Sequence, residues 1–223
     1  MLANALVTAL TGWLVYRCVL ALGYRPAVAI LTALGYGLGT MAWPYAKYFF
    51  SEPLIALGLM LALWGLLAYR QNLQVRYAFL GGLGMGVALL AKVANVVTWP
   101  LFLAYGGWVA VHPQQERAAR EKERLITAAL AFLLPMVIAG LVLAGYNAAR
   151  TGHLLDLGYA ADETFSTALW YGLAGQLLSP GKSLFLFSPI LLAALFGIPA
   201  LLRRDMPTAL LSLGVIAVYP LLY

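Results

Sequence analysis

The chain reads as an all-α membrane protein, a polytopic bundle of about eight transmembrane helices with one longer outer-face loop that carries an interfacial helix. Three observations predict this. Eight apolar stretches, each of about twenty residues, fill most of the 223 positions, with the charges in the gaps between them; a helix needs ~20 such residues to cross a ~30 Å hydrocarbon core. Hydrophobic residues make up 63% and charged residues 10%, against ~25% charged in soluble domains, and the mean hydropathy is +0.87. No stretch alternates with period two, so helices satisfy the backbone in lipid. Residues 1–223 are read as a single transmembrane domain.

The predicted spans are 2–22, 27–44, 53–69, 77–95, 97–111, 125–147, 184–202 and 207–223. The first opens on Met1-Leu2-Ala3-Asn4, without the basic start of a secretory signal, and its first cation, Arg17, comes late. That favours a helix running from outside to inside. Because Tyr223 also closes an apolar run, both ends lead us to expect a chain cut from something longer. The second and fourth spans carry Gly35/Gly39 and Gly82/Gly86, small-xxx-small pairs suited to close helix packing. The run Gly81-Gly82-Leu83-Gly84-Met85-Gly86 lacks the preceding strand of a dinucleotide fold. The fifth span is short and starts with Trp99-Pro100, so it is tilted, re-entrant or continuous with its neighbour. The segment 112–124 is a solvated connector of mixed charge. The outer segment 148–183, with Phe165, Trp170, Tyr171 and Leu173, holds the interfacial helix.

Cation asymmetry sets the orientation. Arg17, Arg25, Arg70, Arg76, Arg117, Arg120, Lys122, Arg124, Arg203 and Arg204 fall on one side, against Lys47, Lys92, Arg150 and Lys182 on the other. The side with ten is expected to be cytosolic. The net charge of +6 and pI near 9.5 are thus topological, and scattered loop cations exclude a nucleic-acid patch. The lone Cys18 excludes an intrachain disulfide and a Cys-rich metal site.

Four outer-face clusters carry candidate chemistry. In Pro44-Tyr45-Ala46-Lys47-Tyr48-Phe49-Phe50-Ser51-Glu52-Pro53-Leu54, Ser51 is positioned to cap the next helix, Pro53 suits its first turn, and Glu52 meets the positive end of its dipole. Glu52 is either a dipole-matched cap or, beside Tyr45, Lys47 and Tyr48, a carboxylate able to orient a sugar hydroxyl, hold a divalent ion or act as a base. Lys92 lies sixteen residues after Arg76, ~24 Å along a helix. It either snorkels or pairs with a lipid phosphate. In Tyr146-Asn147-Ala148-Ala149-Arg150-Thr151-Gly152-His153, Arg150 can bind phosphate; His153, Asp156, Asp162 and Glu163 follow no metal-ligand spacing. Ser179-Pro180-Gly181-Lys182-Ser183 is a helix-entry turn or a phosphate contact; from Gly175 its spacing departs from a phosphate-binding loop by one residue. With His112 on the cytosolic side, no Ser-His-Asp set forms.

Three stretches together resemble the GT-C superfamily of integral-membrane glycosyltransferases, nearest to the dolichyl-phosphate-mannose-dependent protein mannosyltransferases and the aminoarabinose transferases. They are Tyr45 to Leu54, then Tyr146-Asn147 with Arg150-Thr151-Gly152 and Gly158-Tyr159, and Leu178 to Phe185 with Ser188-Pro189. The resemblance implies transfer of a sugar from a polyprenyl-phosphate carrier to a lipid, protein or glycan acceptor, on the outer face of a bacterial plasma membrane. It implies that Glu52 is a supporting acid. The main base would lie in an outer loop ahead of this segment, and a Gly-rich outer motif would follow it. Tyr45, Lys47, Lys92, Asn147, Arg150, Tyr159 and Lys182 would then be substrate-binding, with membrane lipids and the carrier-linked sugar as partners. No resident metal is implied, and a divalent cation at Glu52 stays open. The rival readings are a transporter or flippase, which needs charges near mid-membrane or a repeat of broken helices, and an inactive membrane fragment.

Overall fold

The computed structural model describes residues 2–112, 114, 121–156, 169–181 and 183–219. Among these the chain is helical throughout, without strands. In chain order the helices are α1 (Leu2–Ala21), α2 (Pro26–Gly39), the single turn α3 (Ala42–Tyr45), α4 (Glu52–Asn72) and α5 (Val75–Ala91). A 3₁₀ segment (Val93–Thr98) leads into α6 (Trp99–Val111). Then come α7 (Glu121–Thr151), α8 (Leu169–Leu178), α9 (Leu184–Phe187), α10 (Ile190–Arg204) and α11 (Met206–Val218). Four apolar segments, Leu2–Ala21, Glu52–Asn72, Val93–Val111 and Glu123–Thr151, are long enough to cross a bilayer. Pro26–Gly39, Val75–Ala91 and Met206–Val218 are apolar and shorter. One flank of α7 exposes Leu130, Leu134, Val137, Leu141 and Val142. So much unpartnered apolar surface is consistent with an integral membrane protein.

The centre of the bundle is α5, held between α4 and α7. Lipid is as apolar as leucine, so helices associate in it by close packing, and small residues permit that. On one side of α5, a methyl placed on Gly65 of α4 would lie 2.6 Å from the Gly81 nitrogen, and one on Gly58 would lie 2.6 Å from the Gly84 carbonyl oxygen. On the other side, a methyl on Gly82 would collide with the Phe132 carbonyl, and one on Gly86 would lie 3.1 Å from the Pro135 carbonyl oxygen. The Gly82/Gly86 pair therefore packs as the sequence suggests. Gly35 and Gly39 instead form a shallow seat for the side chain of Ile190 on α10.

Several spans break where the sequence reads continuously. The predicted span 77–95 stops at Ala91, and Lys92 is extended (φ −161°). Asn95 causes the redirection. Its side-chain amide donates to the carbonyls of Ala88 and Lys92, both at 2.9 Å, and the Thr98 hydroxyl donates to the Asn95 carbonyl at 2.7 Å. Residues 93–98 thus belong with α6 and lengthen the short fifth span to Val93–Val111, which is not continuous with the preceding helix because the chain breaks at Lys92. The predicted span 184–202 is two pieces: α9 ends before Ser188-Pro189, where proline lacks the N–H that would continue it. The expected cap at Ser51 is also corrected, since its hydroxyl makes no cap bond to α4. Ser183 and Asp205 cap α9 and α11 instead, accepting from the backbone N–H of Leu186 and Thr208.

Cations and turns gather at one end of the bundle. Asp205, between α10 and α11, forms an ion pair with Arg70 of α4, whose guanidinium also lies over Trp108 of α6. Arg204 donates to the carbonyls of Leu22 and Gly23 and covers Tyr24. Gly23 makes that turn with φ +77°, a backbone region open to glycine. Gln71 donates to the Ala21 carbonyl at 2.7 Å. Burial pushes the Asp205 carboxyl upward, but hydrogen bonds from Arg70 and Thr208 outweigh it and hold the group below the usual carboxylate range. The connector 112–124 has its middle outside the described residues. Within the outer segment, α8 presents exposed Trp170 and Tyr171, while Phe165 lies outside the described residues.

Two outcomes are expected. Gly82→Ala lowers stability in detergent by more than about 2 kcal/mol, because the obstacle is the Phe132 backbone. Gly140→Ala, which meets nothing within 4 Å, is neutral or mildly stabilising; thermal unfolding followed by intrinsic fluorescence separates the two. Asp205 has a lowered folded pKa, so its stabilisation is complete above the ordinary aspartate value and is lost as pH falls through the folded value. The unfolding midpoint should therefore drop steeply below about pH 4. Asp205→Asn should flatten that drop and cost on the order of 3 kcal/mol at neutral pH, because Arg70 is left mostly buried without its anion.

Candidate functional site

The end opposite the Arg70–Asp205 pair holds the candidate site. Asn4, at the start of α1, donates its side-chain amide to the carbonyls of Tyr48 (2.6 Å) and Phe50 (3.0 Å). This ties the aromatic turn 45–51 to the mouth of the bundle. Inside the turn, Tyr45 and Phe50 meet edge to face at 5.2 Å, and the Lys47 ammonium lies 5.1 Å above the Trp43 ring. The Met41 N–H donates to the Ser188 hydroxyl at 3.1 Å, fixing the turn to the α9–α10 break.

Behind the turn is a cavity of about 140 Å³ lined by Thr8, Tyr36, Thr40, Met41, Tyr45, Glu52 and Pro53, among others. Glu52 enters it from the first turn of α4, where the helix dipole favours its charge. Thr40 is already engaged, its hydroxyl donating to the Tyr36 carbonyl at 2.6 Å and accepting from the Ala42 N–H. Thr8 is not. Its hydroxyl is buried without a hydrogen-bond partner, whereas Thr11, one turn on, donates to the Val7 carbonyl at 2.8 Å. A buried hydroxyl left unmatched costs free energy that a ligand oxygen in the cavity would recover. The wall is mostly apolar, with Glu52, Tyr36, Tyr45 and the unmatched Thr8 hydroxyl as the polar-bearing side chains among its lining, a mix that can receive the faces and a hydroxyl of a sugar-like group. The cavity is smaller than the ~300–1,000 Å³ of whole-ligand pockets, so it accommodates one small ring or a few polar atoms.

The other predicted residues are distributed unevenly. Antiparallel packing of α4 on α5, with Gly58 against Gly84 and Ala88, brings the α4 start and the α5 end to one level. Lys92 therefore shares the bundle end with Glu52. Because α7 runs parallel to α5, Arg150 emerges at that same end, but from the far side of α5, with its guanidinium 5.8 Å above Tyr146. Asn147 is buried and turned into its own helix end. Its side-chain amide reaches the Leu154 carbonyl at 3.4 Å, and its carbonyl accepts from the Thr151 hydroxyl. Its evident work is closing α7. Tyr159 and Lys182, with Asp162 and Glu163, lie outside the described residues. Among the described residues no three of His, Cys, Asp and Glu cluster as metal ligands.

Thr8 and Tyr36 were not singled out in the sequence, although a signal existed. Asn4, Thr8 and Thr11 follow one another at spacings of four and three, which places them on one stripe of an otherwise apolar helix, and all three are buried. In lipid such a stripe marks a helix interface or a cavity wall.

Searches against family models, curated proteins and solved structures each found no match.

Thr8→Val tests whether the cavity is a binding feature. The variant is expected to fold with unchanged or slightly raised stability, within about 1 kcal/mol, because it removes an unmatched hydroxyl. Thr11→Val, which deletes a formed hydrogen bond, is expected to be the more destabilising of the two in matched thermal melts.

Proposed function

We propose that this chain is a membrane glycosyltransferase unit, which moves a sugar from a polyprenyl-phosphate carrier to a hydroxyl of a lipid, protein or glycan acceptor. In the proposed topology its apolar helices make about eight crossings of a bacterial plasma membrane. The Glu52 end faces the exterior, and α8 lies in the interface on the strength of its exposed Trp170 and Tyr171. The observation that carries the reading is the cavity shared by Glu52, Tyr45, Tyr36 and the unpartnered Thr8 hydroxyl, at the same bundle end as Lys47, Lys92 and Arg150.

In the proposed reaction a bond forms between the sugar's anomeric carbon and the acceptor oxygen as the bond from that carbon to the carrier phosphate oxygen breaks. The acceptor proton leaves to a base, and the carrier departs as a phosphate monoester. Negative charge grows on the leaving phosphate, so cations held at the apolar boundary stabilise the transition state more than the ground state. Lys92 and Arg150 are assigned that work. Glu52 accepts a hydrogen bond from a sugar hydroxyl and fixes the ring's orientation. No step requires a nucleotide.

The test uses membranes carrying the protein, a radiolabelled polyprenyl-phosphate sugar and an extract of acceptors. Glu52→Gln is expected to insert normally and lose transfer by about a hundredfold, the cost of a misoriented sugar. Lys92→Ala is expected to weaken donor binding by about tenfold with little change toward acceptor, the size of one charge-assisted contact. Wild-type turnover in the first variant, or unchanged donor affinity in the second, removes the residue from the mechanism.

A further inference from the structure

A second cavity lies toward the opposite, basic end and is unrelated to the Glu52 cavity. It measures about 170 Å³ and is walled by Leu66 and Tyr69 of α4, Ala78 of α5, Gly106 of α6, and Ala128 and Phe132 of α7, among others. Its lining is almost wholly apolar. Leu103 and Leu133, which also line it, are among the exposed large side chains, so the cavity is continuous with the lipid-facing surface. Gly106 and Gly107 leave α6 without side chains at this level, which creates the space.

Two polar groups beside this apolar space are unsatisfied. Tyr69 is 2% exposed, lines the cavity, and its hydroxyl has no hydrogen-bond partner. Arg124 stands one helical turn before Ala128 on the same face of α7. Its Nε and one terminal nitrogen are shielded from solvent and likewise have no partner. The guanidinium is near enough to act electrostatically on the Tyr69 hydroxyl. A buried guanidinium edge without an acceptor is costly, and its fork suits a phosphate better than any single carbonyl. Glu123, the adjacent carboxylate, is exposed and forms no ion pair with Arg124 among the described residues.

From this arrangement we infer a site for one anionic phospholipid of the leaflet at the basic end. An acyl chain fills the groove between α6 and α7. The headgroup phosphate accepts hydrogen bonds from Arg124 and from the Tyr69 hydroxyl. An apolar groove that opens to lipid, with a buried hydroxyl in its wall and an unsatisfied guanidinium one helical turn beyond it, matches the order of parts in such a molecule, tail then phosphate. A free anion would leave the groove unfilled, and a zwitterionic lipid would bring its own cation to the guanidinium. The site stands independently of the transferase reading.

The experiment measures thermal unfolding of the detergent-solubilised protein titrated with dioleoyl phosphatidylglycerol, dioleoyl phosphatidylcholine or inorganic phosphate, each variant being compared with its own lipid-free midpoint. Wild type is expected to bind the glycerol lipid about tenfold more tightly than the choline lipid, the worth of one charge-assisted contact. Arg124→Gln should abolish that preference and leave choline-lipid binding unchanged. Tyr69→Phe should reduce the preference severalfold without lowering the lipid-free midpoint. Gly107→Leu, placed where an added Cβ meets nothing within 4 Å, should weaken both lipids by filling the groove. Arg76→Gln, a cation elsewhere on the same rim, should keep the full preference. The inference is overturned if wild type binds the two lipids equally, or if phosphate alone reproduces the shift. It is also overturned if Arg76→Gln and Arg124→Gln lose the preference equally, which would indicate diffuse surface charge.

Discussion

Close backbone contact along α5 governs the arrangement of the rest. Between helices in a bilayer there is no hydrophobic gain from contact, so the association of α4, α5 and α7 depends on how near their backbones approach. Gly58 and Gly65 meet Gly84 and Gly81 on one flank, and Gly82 and Gly86 meet the Phe132 and Pro135 backbone on the other. Two glycine faces on a single helix set two registers at once. The first register puts the start of α4 level with the end of α5. The second carries the end of α7 to that same level. Both ends of the bundle, with their chemistry, follow from this alignment.

Each end is then closed by side chains that satisfy backbone groups the helices leave over. At one end Asn4 serves the 48–50 turn and Asn95 serves the carbonyls ending α5; Tyr219 donates in turn to the Asn95 side-chain oxygen. At the other end Arg204 serves the turn after α1, and Asp205 both caps α11 and holds Arg70. These are the bonds expected where water is scarce and an orphan carbonyl is expensive. Against that economy the exceptions carry information. Thr8 and Tyr69 hold buried hydroxyls without a partner and each lines an open cavity; Arg124 keeps two unmatched nitrogens one helical turn from the second cavity, and Arg70 and Trp99 each keep one away from both. The first cavity carries hydroxyls and a carboxylate in a mostly apolar wall. The second is a greasy groove with the Tyr69 phenol in its wall and Arg124 one helical turn beyond. Their linings therefore suit different guests, a sugar-like polar group and a lipid.

Much of this was legible in the residues. Lengths of apolar run predict helices, and Gly82/Gly86 predicts a close helix contact, whose partner α7 only the folded structure identifies. Glu52 before Pro53 marks the start of α4 whether or not Ser51 caps it. Other features were hidden. The end of α5 at Ala91 depends on Asn95, whose amide could equally have faced a neighbour; only the folded geometry turns it back onto Ala88. Ser188-Pro189 reads as tolerable within an apolar run, yet Ser188 is occupied with Met41, far away in sequence. Asn147 stands out through the family-like Tyr146-Asn147 and Arg150-Thr151-Gly152 pattern, and the sequence does not show that its amide reaches the chain's own Leu154 carbonyl.

The sequence by itself determined that the chain is helical, that long apolar runs dominate it, and that its charges fall mainly between those runs. Those are consequences of composition and order, which act locally through the backbone's need for internal hydrogen bonds in lipid. Which polar residues share a cavity was decided by tertiary structure alone. Thr8, Tyr36 and Glu52 come from three helices, and the wall of the second cavity likewise joins Tyr69, Gly106 and Phe132 from three. Their meeting depends on helix register, and register is set by backbone contacts between segments that are distant along the chain.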